Sequence, residues 1–216
     1  MCIRDRLIMQ PDIGQTLLVF LSWAIIVFVS GINLLFILIF ISFVILSLLY
    51  VVFFIPKFIY IKSRILSFFN PDAGTHNFQS DKAIEAISSG GFFGKGIGEG
   101  TLKTRVPEAH TDYIISVISE EFGVVAIILI LLLFLMFIYM VFKKINYEKD
   151  NKIKLVLIGC VSLILMQATI HIGVNIRLFP TTGMTLPFLS YGGSSIVSIS
   201  ILSGIILNLT KRKIEN

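Results

Sequence analysis

FGVVAIILILLLFLMFIYMVF, residues 122–142, decides the fold class, because it is 21 residues long and contains no charged residue. A helix rises 1.5 Å per residue, so a helix of this length spans about 31 Å, the thickness of the hydrocarbon core of a bilayer. Four more apolar segments cover residues 16–30, 32–55, 155–175 and 193–209. The sequence therefore predicts an all-α fold, a polytopic transmembrane helix bundle of about five spans.

The composition agrees with a membrane protein and excludes several other classes. Apolar residues make up 56% of the chain and charged residues 14%, whereas about a quarter of the residues in soluble domains are charged. The two cysteines and three histidines show neither a disulfide pattern nor metal-ligand spacing. The net charge of +5 comes mostly from Lys and Arg beside apolar segments, which indicates contact with membrane lipids and not with nucleic acid.

Basic residues predict the orientation of the spans. Five lysines lie in residues 143–154 and three basic residues in 211–213, so the positive-inside rule places both segments in the cytoplasm. The first span then begins outside, and loops 56–112 and 176–192 also lie outside. Residues 1–6 resemble a non-native stub, and we expect residues 7–216 to form a single membrane domain.

The long outer loop, residues 56–112, is predicted to be structured. Residues 83–87 are compatible with one or two helical turns. Residues 90–100 are rich in glycine but fit neither the P-loop nor the dinucleotide-binding pattern, so a tight turn is favoured over a nucleotide site. We expect residues 70–111 to pack over the outer mouth of the bundle, where Phe68, Phe69, Phe92 and Phe93 would bury apolar area.

A dense polar motif, Pro107-Glu108-Ala109-His110-Thr111-Asp112-Tyr113, directly precedes an apolar run. A carboxylate this close to a span is costly to dehydrate. Asp112 therefore either accepts a proton from a hydroxyl of a lipid-anchored substrate or caps the following helix, and the residues alone leave both interpretations open. We expect a short interfacial helix that starts near Thr111 and bends around Gly123.

Two other polar groups are predicted at the same outer face. Gln10-Pro11-Asp12 precedes the first span, and residues 181–195 combine prolines, glycines and hydroxyl side chains between the last two spans. Irregular backbone at membrane depth must line a cavity or be buried in protein, so a cavity-lining role is favoured over a plain loop. His171 and Asn175 are the polar residues near the outer end of a span that would suit a transport pathway.

Five motifs in order resemble the shape, elongation, division and sporulation (SEDS) family over nearly all of residues 7–210. The motifs are residues 10–14, 62–65, 90–100, 107–113 with 120–123, and 183–195. Within the family, residues 107–112 and 183–195 are most similar to the division branch. The resemblance implies a fold of about ten transmembrane helices, of which this chain matches the second half.

The resemblance also implies a peptidoglycan glycosyltransferase that polymerises lipid II, the undecaprenyl-pyrophosphate-linked disaccharide peptide, at the division septum. It places the protein in the bacterial inner membrane with its active site on the periplasmic face. Its implied partners are a class B penicillin-binding protein transpeptidase and other division proteins. Mg²⁺ or Mn²⁺ is a candidate cofactor for the pyrophosphate leaving group, and no other cofactor is expected.

The family's catalytic aspartate corresponds to Asp112, which would act as the general base. We assign eleven further residues to substrate binding: Glu108, His110, Thr111, Gln10, Asp12, Lys103, Arg105, Ser190, Tyr191, Ser194 and Ser195. Two alternatives remain, a lipid II flippase or transporter and a non-catalytic scaffold of the division machinery. Asp112→Asn distinguishes them from a polymerase, because neither alternative needs a proton acceptor at this position.

Overall fold

The computed structural model describes residues 13–54, 78–101 and 106–211, and these residues form six helices and no strand. The helices are α1 (Ile13–Val29), α2 (Leu34–Phe54), α3 (Phe78–Gly90), α4 (Ile114–Tyr147), α5 (Asn151–Asn175) and α6 (Gly193–Thr210). Three of them, α4, α5 and α6, are long and apolar enough to cross a membrane, and α1 and α2 are also strongly apolar. The predicted all-α membrane fold is confirmed.

Helix α5 forms the centre of the bundle. It contacts α1, α3, α4 and α6, whereas much of the apolar surface of α4 and α6 is exposed. Small residues allow neighbouring helices to approach α5, as at Gly159, where an added Cβ would stand 3.1 Å from the Ile26 side chain. Ser162, His171 and Asn175 of α5 are buried in the protein interior, and the exposed faces of α4 and α6 suit lipid contact.

Helix α4 contains the bend that the sequence predicts at Gly123, where φ is 75° and ψ is −174°. The helix begins at Ile114, three residues after the expected start. The backbone groups around the bend bond to the glycine-rich segment 90–100, which we call the glycine loop. The bonds are Lys95 N to Glu120 O (2.9 Å), Gly96 N to Glu121 O (3.0 Å), Val124 N to Gly91 O (3.0 Å) and Val125 N to Phe92 O (3.3 Å).

Helix α3 and the glycine loop pack against the outer part of the bundle. Helix α3 contacts α4 and α5, and it is longer than the one or two turns that the sequence predicts. The expectation that Phe92 and Phe93 are buried is wrong, because their side chains are 76% and 85% exposed. The backbone of the loop lies so close to α4 that a Cβ at Gly94 would be 2.1 Å from Glu121 O, and the two phenylalanines point away from this contact.

Candidate functional site

Two segments that are far apart in the sequence meet at the end of the bundle that lies opposite residues 143–154. The turn of residues 107–113 precedes α4, and the loop of residues 176–192 joins α5 to α6. The Ser190 hydroxyl donates to Thr111 O at 2.7 Å, and Tyr191 N donates to His110 O at 3.0 Å. The structure thus brings four of the predicted site residues together through direct hydrogen bonds.

The turn before α4 is compact and polar. Glu108 O accepts from the backbone N–H of both Thr111 and Asp112 at 3.1 Å, and the Thr111 hydroxyl donates to the Glu108 carboxylate at 3.1 Å. The side chains of Glu108 and His110 are exposed. The N-cap position of α4 belongs to Tyr113, which makes no side-chain capping bond, so Asp112 lies one residue before the helix cap.

Asp112 is held from two directions. The Asn175 amide on α5 donates to Asp112 O at 3.0 Å. On the other side, a Cβ added to Gly183 would be 3.4 Å from Asp112 Oδ2, so the carboxylate lies against the loop that follows α5. Asp112 itself is only partly buried. A half-buried carboxylate with a fixed backbone can face a substrate without first having to reorganise.

Polar residues of α5 support this arrangement, although the sequence suggests only a transport pathway for His171 and Asn175 and no role for Gln167. Gln167, His171 and Asn175 follow one another at four-residue intervals, so they share one helix face. His171 Nδ1 donates to Met184 O at 2.7 Å, and Asn175 Nδ2 lies 3.3 Å from His171 Nε2. Because Nε2 faces a donor, these contacts fit a neutral imidazole with its proton on Nδ1. The regular spacing in an apolar span is the signal that could have identified them.

Gln167 connects α5 by hydrogen bonds to the loop that follows it and to the start of α6. Its amide donates to Thr185 O at 2.9 Å and to the Ser195 hydroxyl at 3.2 Å, and the Thr185 hydroxyl donates to Ser195 at 2.7 Å. Ser195 is therefore part of the network that fixes the loop. Ser194 is exposed in the first turn of α6, and only its backbone oxygen accepts a bond, from Ser198.

Backbone strain is concentrated in the same two segments. Within the described ranges, three non-glycine residues have positive φ: Glu108 (54°), Arg177 (59°) and Phe188 (67°). Arg177 also forms an ion pair with Asp81 of α3. Such conformations cost about 1–3 kcal/mol each, so they persist only where the surrounding structure enforces them, and they are frequent at functional sites.

An open pocket lies where the turn and the loop meet. It has a volume of about 360 Å³ and is lined by His110, Ile114, Leu189 and Tyr191. Apolar and aromatic walls with a few polar groups are typical of ligand sites.

Several predicted positions fall outside the part of the chain that the structure describes, among them Phe68 and Phe69. Gln10, Asp12, Lys103 and Arg105 lie outside the described residues. No group of three or more His, Cys, Asp or Glu side chains is arranged to hold a metal ion in residues 13–54, 78–101 and 106–211.

Sequence comparison identifies relatives along nearly the whole chain. Residues 2–215 match the family of FtsW, RodA and SpoVE, which is described as a cell cycle protein family. The chain is 36% identical over 211 residues to a probable peptidoglycan glycosyltransferase FtsW of Caulobacter vibrioides, and 35% identical over 213 residues to one of Trichlorobacter lovleyi. These alignments cover 96% and 97% of this chain but only 52% and 55% of the relatives, so the chain spans about half their length.

A solved structure has a similar fold. It is described as showing the structural coordination of polymerization and crosslinking by a peptidoglycan synthase complex. The TM-score is 0.75 and the sequence identity 26%, and the match covers 94% of this chain and 57% of the solved one.

Proposed function

The chain belongs to the FtsW, RodA and SpoVE family of cell cycle proteins, and from this membership we propose that it serves as a peptidoglycan glycosyltransferase with Asp112 as its general base. The relatives that carry the name peptidoglycan glycosyltransferase align with nearly all of this chain. The proposed substrate is lipid II, and the proposed product is a glycan strand made at the division septum.

In the proposed reaction, a hydroxyl of the acceptor sugar attacks the anomeric carbon of a lipid-linked donor. The new glycosidic bond forms as the bond to the undecaprenyl pyrophosphate breaks, and the Asp112 carboxylate accepts the proton of the hydroxyl. The pyrophosphate leaves with its negative charge, for which Lys103 and Arg105 are the proposed partners.

The observation that carries this proposal is the way Asp112 is held. Asn175 bonds to its backbone oxygen, and bonds from Ser190 and Tyr191 fix the two residues before it. A general base must stay within hydrogen-bond reach of the proton that it accepts. Rigid support keeps the carboxylate near that position, so less conformational entropy is lost when the substrate binds. An aspartate that only made the surface more soluble would not need hydrogen bonds from both α5 and the loop that follows α5.

The substrate-binding residues divide into two groups. Glu108, His110 and Tyr191 have exposed side chains at or beside the pocket, so we propose that they contact the sugars of the substrate. Thr111, Ser190 and Ser195 bond within the protein, and we propose that they act by holding the site in shape. Ser194 is exposed at the start of α6, where it is available to a ligand.

We further propose that the protein lies in the bacterial inner membrane with this site on the periplasmic face and the C-terminus in the cytoplasm. The five lysines of residues 143–154 support this orientation. A class B penicillin-binding protein is the proposed partner. This rests on the similarity to a chain from a complex that coordinates polymerization and crosslinking.

An assay in liposomes tests the proposed function against its two alternatives. Because this chain covers 52% of the Caulobacter vibrioides relative, it is joined to the N-terminal half of that relative and reconstituted with labelled lipid II. A polymerase produces a ladder of glycan strands. Transfer of unpolymerised lipid II between leaflets would instead indicate a flippase, and a folded protein with neither activity would indicate a scaffold. Either of these last two results contradicts the proposal.

A further inference from the structure

The glycine loop presents an apolar surface that the candidate site does not use. Phe92, Phe93 and Ile97 are 76%, 85% and 79% exposed. Large apolar side chains that are this exposed and this close together are uncommon on surfaces that face only water, and they usually mark a contact with a membrane or a partner.

The loop cannot bury these side chains by a small rearrangement. Four backbone hydrogen bonds attach it to both sides of the bend in α4. In addition, Lys95 Nζ is 3.3 Å from the carboxylate of Glu120, whose side chain is fully buried, and Gly98 N donates to the Glu121 carboxylate at 3.2 Å. The backbone that carries Phe92, Phe93 and Ile97, which we call the apolar tips of the loop, is therefore held in a fixed position.

The length of α4 gives the depth of this loop relative to the membrane. Lys143, the first charged residue after the apolar run, is 20 residues beyond Gly123. At 1.5 Å per residue these two positions are about 30 Å apart, one hydrocarbon core. With Lys143 at one headgroup layer, Gly123 lies at the opposite boundary of the hydrocarbon core.

The burial of side chains along α4 agrees with that boundary. Before the bend, Ser116, Ser119 and Glu120 are fully buried in protein. From the bend onward, large apolar side chains such as Val125 and Ile128 are about half exposed. The glycine loop is bonded to the residues at this change, so it lies at the level of this boundary.

We propose that Phe92, Phe93 and Ile97 insert into the interfacial layer of the adjacent leaflet and anchor the bend of α4 at the membrane surface. The partner is thus a lipid surface. Its acyl-chain boundary removes the apolar side chains from water. The exposed Glu99, two residues from Ile97, keeps the insertion at the level of the headgroups. The anchor would also set the height of the short helical segment 114–122, which follows Asp112.

Spin labelling measures the depth of the tips directly. A nitroxide is placed on Phe93→Cys or Ile97→Cys in the whole chain, with Cys2→Ser and Cys160→Ala, in liposomes. Glu85→Cys on the exposed side of α3 is the reference for water, and Ile128→Cys on α4 is the reference for lipid. The collision rate with oxygen is compared with that of a water-soluble nickel chelate.

The proposal expects the ratio of oxygen to nickel collisions at residues 93 and 97 to be several-fold higher than at residue 85 and to lie below that at residue 128. A ratio equal to that at residue 85 would mean that the tips are in water. Low collision rates with both reagents would mean that protein covers them. Either result overturns the proposal.

A second measurement does not depend on cysteine labelling. Phe93→Trp in a Trp23→Phe background gives one fluorophore at the tip. Lipids brominated near the headgroup end of their acyl chains should quench it more strongly than lipids brominated near the chain ends. Equal or no quenching by both lipids contradicts insertion at this depth.

Discussion

At the scale of single residues, the candidate site is organised by side chains that bond to backbone atoms of another segment. Ser190 is 3% exposed, and its hydroxyl accepts from Leu186 N and donates to Thr111 O. In the same way, Asn175 donates a hydrogen bond to Asp112 O, and His171 donates one to Met184 O. Buried polar groups cost free energy unless they are paired, so each of these side chains stabilises one particular arrangement of the turn and the loop.

Ser190→Ala should lower the free energy of unfolding by about 1–3 kcal/mol, because it leaves Leu186 N and Thr111 O without their buried partner. Reversible unfolding in mixed micelles measures this change. Ser198→Ala is the matched control, since Ser198 is exposed and bonds only to Ser194 O one turn away. The control should change stability by no more than about 0.5 kcal/mol. Equal effects of the two substitutions would contradict the role given to Ser190.

At the scale of elements, the decisive feature is the bend in α4 and the loop bonded to it. Gly123 has φ 75°, and a Cβ there would be 2.2 Å from Phe92 O. Only glycine satisfies both the backbone angle and the contact. The bend separates the short segment that follows Asp112 from the apolar part of the helix, so it fixes the angle between these two parts of α4.

Gly123→Ala should destabilise the protein by at least about 1–3 kcal/mol, because the backbone conformation is strained for alanine and the glycine loop must move. Hydrogen exchange should accelerate at the amides of Lys95 and Gly96, which bond to residues at the bend. Gly204→Ala in α6 is the control, since a Cβ there meets no atom within 4 Å and alanine favours helix. Unchanged exchange at Lys95 and Gly96 would show that the loop does not depend on the bend.

The sequence predicts the elements better than their contacts. Hydropathy identifies five apolar helices, because a helix forms all of its backbone hydrogen bonds within its own segment. The glycine at the start of an apolar run predicts the bend at Gly123. The exposure of Phe92 and Phe93 could not be predicted, because it follows from hydrogen bonds to residues about 30 positions later. The partners of His171 and Asn175 likewise depend on how a loop folds back over α5.

At the scale of the whole molecule, α5 is the central helix of the bundle, and the candidate site lies at its C-terminal end. Its other end starts at the lysine-rich segment 143–154, where Asp150 caps the helix through a bond from Lys152 N at 2.8 Å. The site and the lysines therefore lie at opposite ends of one helix of 25 residues, about 37 Å long. This distance exceeds the thickness of the hydrocarbon core, so α5 is long enough for the two ends to lie on opposite sides of a membrane.

Cysteine labelling in whole cells should confirm this separation and its direction. Lys149→Cys should react with a membrane-impermeant reagent only after the inner membrane is broken, whereas Glu99→Cys in the glycine loop should react from the periplasm. Both side chains are exposed. Labelling of position 149 from the periplasm would reverse the proposed topology and remove the site from the face where we expect lipid II.

The measurement that most directly tests the central claim compares two Asp→Asn substitutions in the chimera described above. Asp112→Asn keeps the size of the side chain but cannot accept the proton, so glycan synthesis from lipid II should fall by about 10²–10⁴-fold while the melting temperature stays nearly the same. Asp150→Asn makes the same chemical change at a genuine helix cap on the opposite side of the membrane, and asparagine caps well, so its activity should be unchanged. If Asp112→Asn still makes long glycan strands at the rate of the Asp150→Asn protein, Asp112 is not the general base.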